Sequence, residues 1–206
     1  MNKEWSELNK TMQAQIKKKD TYKMGIDTLF NLRRQLMQTL VSFKEDLCRE
    51  DFNAIPFINA DGYHSKTIAY SIWHIFRIED IVAHTVITED EQVFFTGNYQ
   101  VRINSPIITT GNELVKQQIA DFSKQLNLEE LYSYIFEVRE STEKILERFS
   151  YDELKWKIPD ERKGYLKSLN VVNCDEKAIW LIDYWCSKDI RGLIQMPFSR
   201  HWIMHT

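Results

Sequence analysis

The chain has 206 residues, of which 27 are Lys or Arg and 30 are Asp or Glu, giving a formal net charge of −3. This balance argues against nucleic acid as a partner, because binding a phosphate backbone requires an excess of positive charge. Hydrophobic residues make up 43% of the chain, which is enough for a folded core, and it holds only 6 Gly and 4 Pro. Turn-rich all-β folds and glycine-rich nucleotide-binding folds need more of both, so the composition predicts an all-α protein.

Apolar residues repeat with helical spacing in three segments of the first half. They do so over residues 1–18, and then over a longer stretch from Tyr22 to about Leu47. The most apolar segment runs from Ser65 to about Ile87. Its apolar residues lie on two sides of the helix, which predicts that this helix is buried between neighbours.

Capping residues mark the helices that follow. Thr110 or Asn112 can cap a helix that ends near Gln125, and Asn127 can cap a long helix that reaches about Phe149. Glutamates in the first turn of the long helix suit the helix dipole.

The last helix is capped by Asn173 or Asp175 and runs past Trp185. Pro197 interrupts this stretch, and a proline inside a helix costs roughly 3 kcal/mol. We therefore expect a kink or a restart there, followed by a final helical turn or two.

Four long helical segments around one buried helix predict a four-helix bundle over residues 21–206, with residues 1–20 as a short N-terminal helical extension. Two connections, residues 88–111 and 150–174, are long for a bundle. The second has a short helix around residues 152–156. We expect these connections to fold over one end of the bundle and cover a site.

The N-terminal residues and the cysteines predict a cytoplasmic protein. Residues 1–5 are polar and mixed in charge, without the apolar region of a secretory signal. No apolar run approaches the roughly 18 residues of a membrane-spanning helix, so we expect no membrane partner. Cys48, Cys174 and Cys186 are odd in number and widely spaced, which predicts neither a disulfide framework nor a zinc–cysteine site.

The five histidines carry the strongest chemical signal. His201 and His205 are spaced i, i+4, so both imidazoles share one helix face and can bind one metal ion. His74 lies in the most apolar helix, and it is either a hydrogen-bonded core histidine or a third ligand. Three neutral imidazoles leave a coordination position open, as in a catalytic site. We expect His84 to lie outside the site and His64 to be solvated in a loop.

Acidic and basic residues follow His74 on the same helix. Glu79 falls among apolar residues, so its carboxylate requires a partner. Because Arg77 points elsewhere, we expect that partner on another helix. Two interpretations stay open for Glu79: a structural ion pair, or an orienting group or base at the metal. Arg77 and Asp80 are candidates for groups behind the ligands, where an acceptor fixes the tautomer of an imidazole.

These motifs, taken together, resemble a known family. Residues 72–75, Ile-Trp-His-Ile, resemble the second-helix signature of the DinB/YfiT-like metalloenzyme superfamily. Residues 193–205, Leu-Ile-Gln-Met-Pro-Phe-Ser-Arg-His-Trp-Ile-Met-His, resemble its fourth-helix H-x-x-x-H motif. The similarity in helix layout covers about residues 22–206. Relatives continue with a further helical stretch after the last histidine, whereas this sequence ends at Thr206.

The resemblance implies a four-helix bundle with up-down-down-up connectivity, in which His74, His201 and His205 bind a divalent metal. Zinc is the first expectation, with nickel or iron next. Members of the family include bacterial S-transferases that use low-molecular-weight thiols such as bacillithiol or mycothiol, and a thiol-dependent isomerase. Dimers are common among them, so the resemblance also implies a homodimer.

Three functions are open at this point. In the first, a thiolate or hydroxide formed at the metal attacks an electrophilic small molecule held under the 88–111 connection, with Glu79 as orienting group or base. The second is a metal-dependent hydrolase without a thiol cofactor. The third is a non-catalytic bundle whose metal is structural and whose role is partner binding or dimerisation.

Overall fold

The computed structural model describes residues 3–59 and 65–206, and these residues form an all-helical fold, as the composition predicts. In these ranges, no helix combines the length and the apolar character needed to cross a bilayer. A 3₁₀ turn and two π-helical segments lie at Glu153–Lys155, Ile81–Thr88 and Met196–Arg200. The α-helices, in chain order, are α1 (Lys3–Gln15), α2 (Tyr22–Asp46), α3 (Arg49–Asn53), α4 (Ile68–Asp80), α5 (Val93–Thr96), α6 (Tyr99–Ile103), α7 (Gln117–Gln125), α8 (Leu128–Glu147), α9 (Glu161–Ser168), α10 (Glu176–Cys186), α11 (Ile190–Gln195) and α12 (His201–His205).

The long predicted helices are confirmed, and so are two of their caps. Helices α1, α2, α4, α8 and α10 lie where hydrophobic periodicity places them. The Asn127 side chain accepts a hydrogen bond from the backbone N–H of Glu130 at 3.3 Å. Of the two candidates at the start of α10, Asp175 is the cap, because its carboxylate accepts from the N–H of Lys177 at 2.8 Å.

The buried central helix differs from its prediction at both ends. It begins at Ile68 instead of Ser65, because the Thr67 side chain caps it by accepting a hydrogen bond from the N–H of Tyr70. After Asp80 the backbone continues without a break but widens into a π-helix, a form often found at functional sites.

The helix expected to start at Thr110 or Asn112 begins only at Gln117, so that prediction is wrong by more than one turn. The backbone turns at Gly111, whose φ of +79° does not continue into a helix. The carbonyls of this stretch instead accept hydrogen bonds from side chains of α4.

The two long connections contain short helices that the sequence pattern does not indicate. Helices α5 and α6 lie in the first connection, and α9 lies in the second. Before α9, the short helix predicted around residues 152–156 is a single 3₁₀ turn, Glu153–Lys155. Helix α3 also follows α2 without a periodic signal. Each of these helices spans only one or two turns, which is too short to show a helical period.

The chain restarts at Pro197 as predicted, but the stretch also breaks earlier, because α10 ends at Cys186 and α11 begins only at Ile190. Helix α11 ends at Gln195, a wide π-helical segment contains the proline, and α12 begins at His201. This geometry places α12 against α4, where the rings of Phe76 and Trp202 lie with centroids 4.6 Å apart.

Two apolar clusters form the core, and both α2 and α4 contribute one end to each cluster. Helices α10 and α11 pack in the first cluster, and α7 and the first half of α8 pack in the second. The boundary between the two clusters falls after Leu29 on α2 and after Phe76 on α4. Two charged side chains beside this boundary, Arg33 and Glu79, are fully buried.

The close approach of α1 to α2 depends on Gly25. A Cβ atom at this position would lie 2.4 Å from Cγ2 of Ile16 and 2.8 Å from its backbone nitrogen. We expect Gly25→Ala to lower the free energy of unfolding by about 1–3 kcal/mol, because the backbone must move to relieve the overlap.

Gly164→Ala is the matched control, because a Cβ at Gly164 in α9 meets no atom within 4 Å. This variant should gain up to about 1 kcal/mol from the higher helix propensity of alanine. Urea denaturation of both variants measures the difference. A Gly25→Ala protein as stable as Gly164→Ala would contradict the packing of α1 on α2.

Candidate metal centre

The three histidines predicted as ligands converge, although they come from helices far apart in the sequence. His74 lies in α4, and His201 and His205 begin and end α12. One potential ligand atom from each residue lies within 4.8 Å of the other two. The ring centroids are 5.0 Å apart for His74 and His201, 4.8 Å for His74 and His205, and 4.6 Å for the pair on α12. The group offers the imidazole ligands that zinc, nickel and iron accept.

The segment before α7 fixes the tautomer of His74. The Nδ1 atom of His74 lies 2.8 Å from the carbonyl oxygen of Thr110. A carbonyl oxygen only accepts, so Nδ1 carries the proton and Nε2 keeps the lone pair that a metal requires. Carbonyls of residues 108–111 accept hydrogen bonds from one face of α4, from Tyr70, Trp73, His74 and Arg77.

All three histidines are neutral at neutral pH. Burial lowers the pKa of His74 to about 4, although the hydrogen bond to Thr110 acts in the opposite direction. Burial and the charges of His74 and Lys66 lower the pKa of His205 to about 2. Burial and the two neighbouring histidines hold the pKa of His201 well below its ordinary value. Because an imidazole binds metal only when deprotonated, the three rings are ready to act as ligands.

The three imidazoles form a donor set that divalent metal ions bind, and one buried ring nitrogen of the group lacks a hydrogen-bond partner among the described residues. Within the described ranges, Nδ1 of His201 is buried and has no hydrogen-bond partner. Leaving such a polar atom unsatisfied costs about 1–3 kcal/mol.

Glu79 belongs to a buried ion pair that supports α12. Its carboxylate oxygens accept hydrogen bonds from Arg33 at 2.7 and 2.9 Å and from Nε1 of Trp202 at 2.7 Å. Arg33 also donates to the carbonyl of Phe198 at 3.2 Å, and its guanidinium lies 4.4 Å from the centroid of the Trp202 ring. Since Trp202 directly follows the first histidine of α12, this cluster holds the turn that carries both histidines.

The partner of Glu79 therefore lies on another helix, α2, and the arrangement is the ion pair left open by the sequence. Both carboxylate oxygens already accept hydrogen bonds. Glu79 is therefore a positioning residue for α12 and not a base at the metal.

Arg77 and Asp80 hold the first long connection in place. Arg77 donates to the carbonyl of Ile108 at 2.8 Å and to Asp80 at 3.1 Å. Asp80 accepts from two backbone N–H groups at the start of α5, each at 2.9 Å. These bonds link both residues to the segment that binds His74, and the group directly behind His74 is the carbonyl of Thr110.

A cavity of about 650 Å³ opens from the three histidines. Aromatic side chains of α10 form one wall, with Trp180, Tyr184 and Trp185, and Asn112, Val115 and Lys116 also line the cavity. No member of the 88–111 connection is among the described lining residues. The expectation that this connection covers a substrate is therefore corrected, since it orients His74 from behind.

His84 lies outside the three-histidine group, as expected, in a hydrogen-bonded chain of its own. Its Nδ1 lies 2.7 Å from Asp90, and its Nε2 lies 3.0 Å from Oγ of Ser141. This order of groups is that of a serine-hydrolase triad. However, Ser141 lies within α8, whose backbone N–H groups serve the helix and cannot stabilise an oxyanion. We therefore assign this chain a structural role. His64 lies outside the described residues.

Sequence reasoning missed two features of the centre. The Thr110 carbonyl is a backbone group, so no side-chain pattern reports it. Lys66 and Lys116 line the cavity without any motif that marks them. The turn residues Thr110-Gly-Asn112 were the one available signal, and they indicate a chain reversal without indicating what it contacts.

Comparison with known proteins gives no further assignment: no family model, curated protein or solved structure matches this chain.

Proposed function

We propose that this protein is an enzyme that depends on a divalent metal ion held by His74, His201 and His205. One observation carries the proposal: three neutral imidazoles converge, and all three line the same cavity. A structural metal site is closed by protein ligands, whereas a catalytic site keeps a position for water or substrate. Access from the cavity therefore favours catalysis on a small molecule over a structural role.

We further propose that the fold is a four-helix bundle of the DinB/YfiT-like kind. The long segments α2, α4, α8 and α10–α12 would supply its four helices. Support comes from the placement of the ligands, with one histidine on the buried second long helix and two on the last. Zinc is the first candidate metal, and nickel or iron are next.

The reaction we propose is the transfer of a low-molecular-weight thiol to an electrophilic carbon. A sulfur–carbon bond forms, the leaving group departs with its electron pair, and the thiol proton passes to water. A divalent ion supplies a Lewis acid that lowers the pKa of the thiol.

The residues of the chain hold the metal ligands in position and form the surroundings of the substrate. The Thr110 carbonyl orients His74, and the Arg33–Glu79 pair holds α12. The aromatic wall of α10 excludes water from the apolar part of a substrate and limits its orientations.

A fluorescence assay tests this function. Protein loaded with zinc, nickel or iron is mixed with bacillithiol and monochlorobimane, which becomes fluorescent when sulfur replaces chloride. We expect metal-dependent turnover that falls by more than about 100-fold in His201→Ala, because loss of a ligand exceeds the effect of losing a supporting group. His84→Gln, outside the centre, should keep the activity.

Two other results would overturn this assignment. Metal-dependent hydrolysis of nitrophenyl acetate without thiol transfer would make the protein a hydrolase. Absence of both reactions in metal-loaded protein would favour the non-catalytic bundle.

A further inference from the structure

The described residues that line the cavity beside the histidines carry a positive charge, opposite in sign to that of the whole chain. Lys66 and Lys116 line it, and no Asp or Glu is found among the described lining residues. The chain as a whole has a net charge of −3. Cations that line a cleft of low dielectric attract and hold anions there.

Lys66 is close to the histidines and only partly solvated. Its Nζ atom lies 4.9 Å from the centroid of the Tyr70 ring, and that ring stacks on His74 with centroids 5.5 Å apart. The ammonium group and a ligand of the centre therefore contact the same aromatic ring. Burial and the charge of Lys177 both lower the pKa of Lys66. An ammonium group in such surroundings gains from a bound anion.

Lys116, the second cation that lines the cavity, has an unusual backbone conformation. Its φ of 49° and ψ of −121° place a non-glycine residue in a sparsely populated region, immediately before α7. Backbone strain of this kind costs about 1–3 kcal/mol and concentrates at ligand-binding positions. The strained turn delivers a second cation to the same cavity as Lys66.

The wall of α10 offers an apolar surface beside these charges. Trp180 lines the cavity, yet half of its surface is exposed, and its ring lies 5.8 Å from that of Tyr184. A tryptophan exposed on a cavity wall provides a flat surface against which a ligand can bury apolar area.

We propose that the substrate of this site is an amphipathic organic anion. Its acidic group, a carboxylate, sulfonate or phosphate, binds Lys66 and Lys116, and its apolar body lies against Trp180. The proposal rests on the proposed function, because it assigns a substrate class to the same cavity. Binding of the anion, however, requires no turnover and can be measured alone.

Two fluorescent probes with one aromatic body test this proposal. Anilinonaphthalenesulfonate carries an acidic group, and phenylnaphthylamine lacks it. Both are titrated into metal-free and zinc-loaded protein. We expect the sulfonate to bind about tenfold more tightly, and Lys66→Gln or Lys116→Gln to weaken only the sulfonate, by about three- to tenfold. Trp180→Ala should weaken both probes.

Lys167→Gln is the matched control, because Lys167 is exposed on α9 and lies outside the cavity lining. It should change neither titration. Equal affinity for the two probes, or lysine variants that behave like Lys167→Gln, would overturn the proposal. Anion preference in metal-free protein without any turnover would overturn the enzymatic function alone, so the two failures are distinguishable.

Discussion

Replacing Arg33 by methionine is expected to lower the free energy of unfolding by about 3–5 kcal/mol, because it leaves a charge buried without its partner. Glu79 would stay fully buried and lose both of its guanidinium bonds, and among the described residues it would keep the hydrogen bond from Trp202. For a domain of this size, the midpoint of thermal unfolding should fall by roughly 6–20 °C.

Arg34→Met is the control for this variant, because Arg34 is the next residue on α2, is exposed and donates a hydrogen bond to the nearby Asn31 side chain. It should change stability by less than about 0.5 kcal/mol. The double variant Arg33→Met/Glu79→Leu removes both charges and should be more stable than Arg33→Met alone. Equal unfolding midpoints for Arg33→Met and Arg34→Met would show that the ion pair does not support the fold.

Zinc is expected to stabilise the metal-free protein strongly. A ligand that binds only the folded state adds about 2.7 kcal/mol at 100 times its dissociation constant. For a domain of this size that corresponds to a rise of roughly 5–11 °C in the unfolding midpoint. His201→Ala should abolish the rise, because it removes one of the three imidazoles that converge in the centre.

His84→Gln is the control for the zinc experiment. His84 is another buried histidine, but its ring nitrogens bond Asp90 and Ser141, away from the centre. His84→Gln should keep the zinc-dependent rise in the unfolding midpoint, whatever its midpoint without zinc. A rise of the same size in His201→Ala would place the zinc elsewhere in the molecule.

The helices predicted best from the sequence are those whose position depends on residues close together in the chain. The periodicity of α2, α4 and α8 persists over several turns, and Asn127 and Asp175 cap the residues that directly follow them. The start of α7 could not be predicted in this way. Thr110 is a good cap in isolation, but its carbonyl bonds His74, and that long-range contact overrides the local preference.

At the metal centre, too, the features set by neighbouring residues were predictable and those set by long-range contacts were not. The i, i+4 spacing of His201 and His205 is a local feature, so their shared face was predictable. Burial required a partner for Glu79, but its identity was not predictable, because Arg33 lies 46 residues away. Nor could a sequence pattern show the cavity, since its walls come from segments that only the fold brings together.

The metal content of the purified protein tests the central proposal most directly. Protein without an affinity tag is loaded with zinc, or in parallel with nickel or iron, dialysed, and analysed by elemental mass spectrometry beside His74→Ala and His84→Gln. We predict one zinc ion per chain in the wild type and in His84→Gln, and almost none in His74→Ala. Absence of zinc, nickel and iron from the loaded wild type, or equal zinc in His74→Ala, would contradict the three-histidine metal centre.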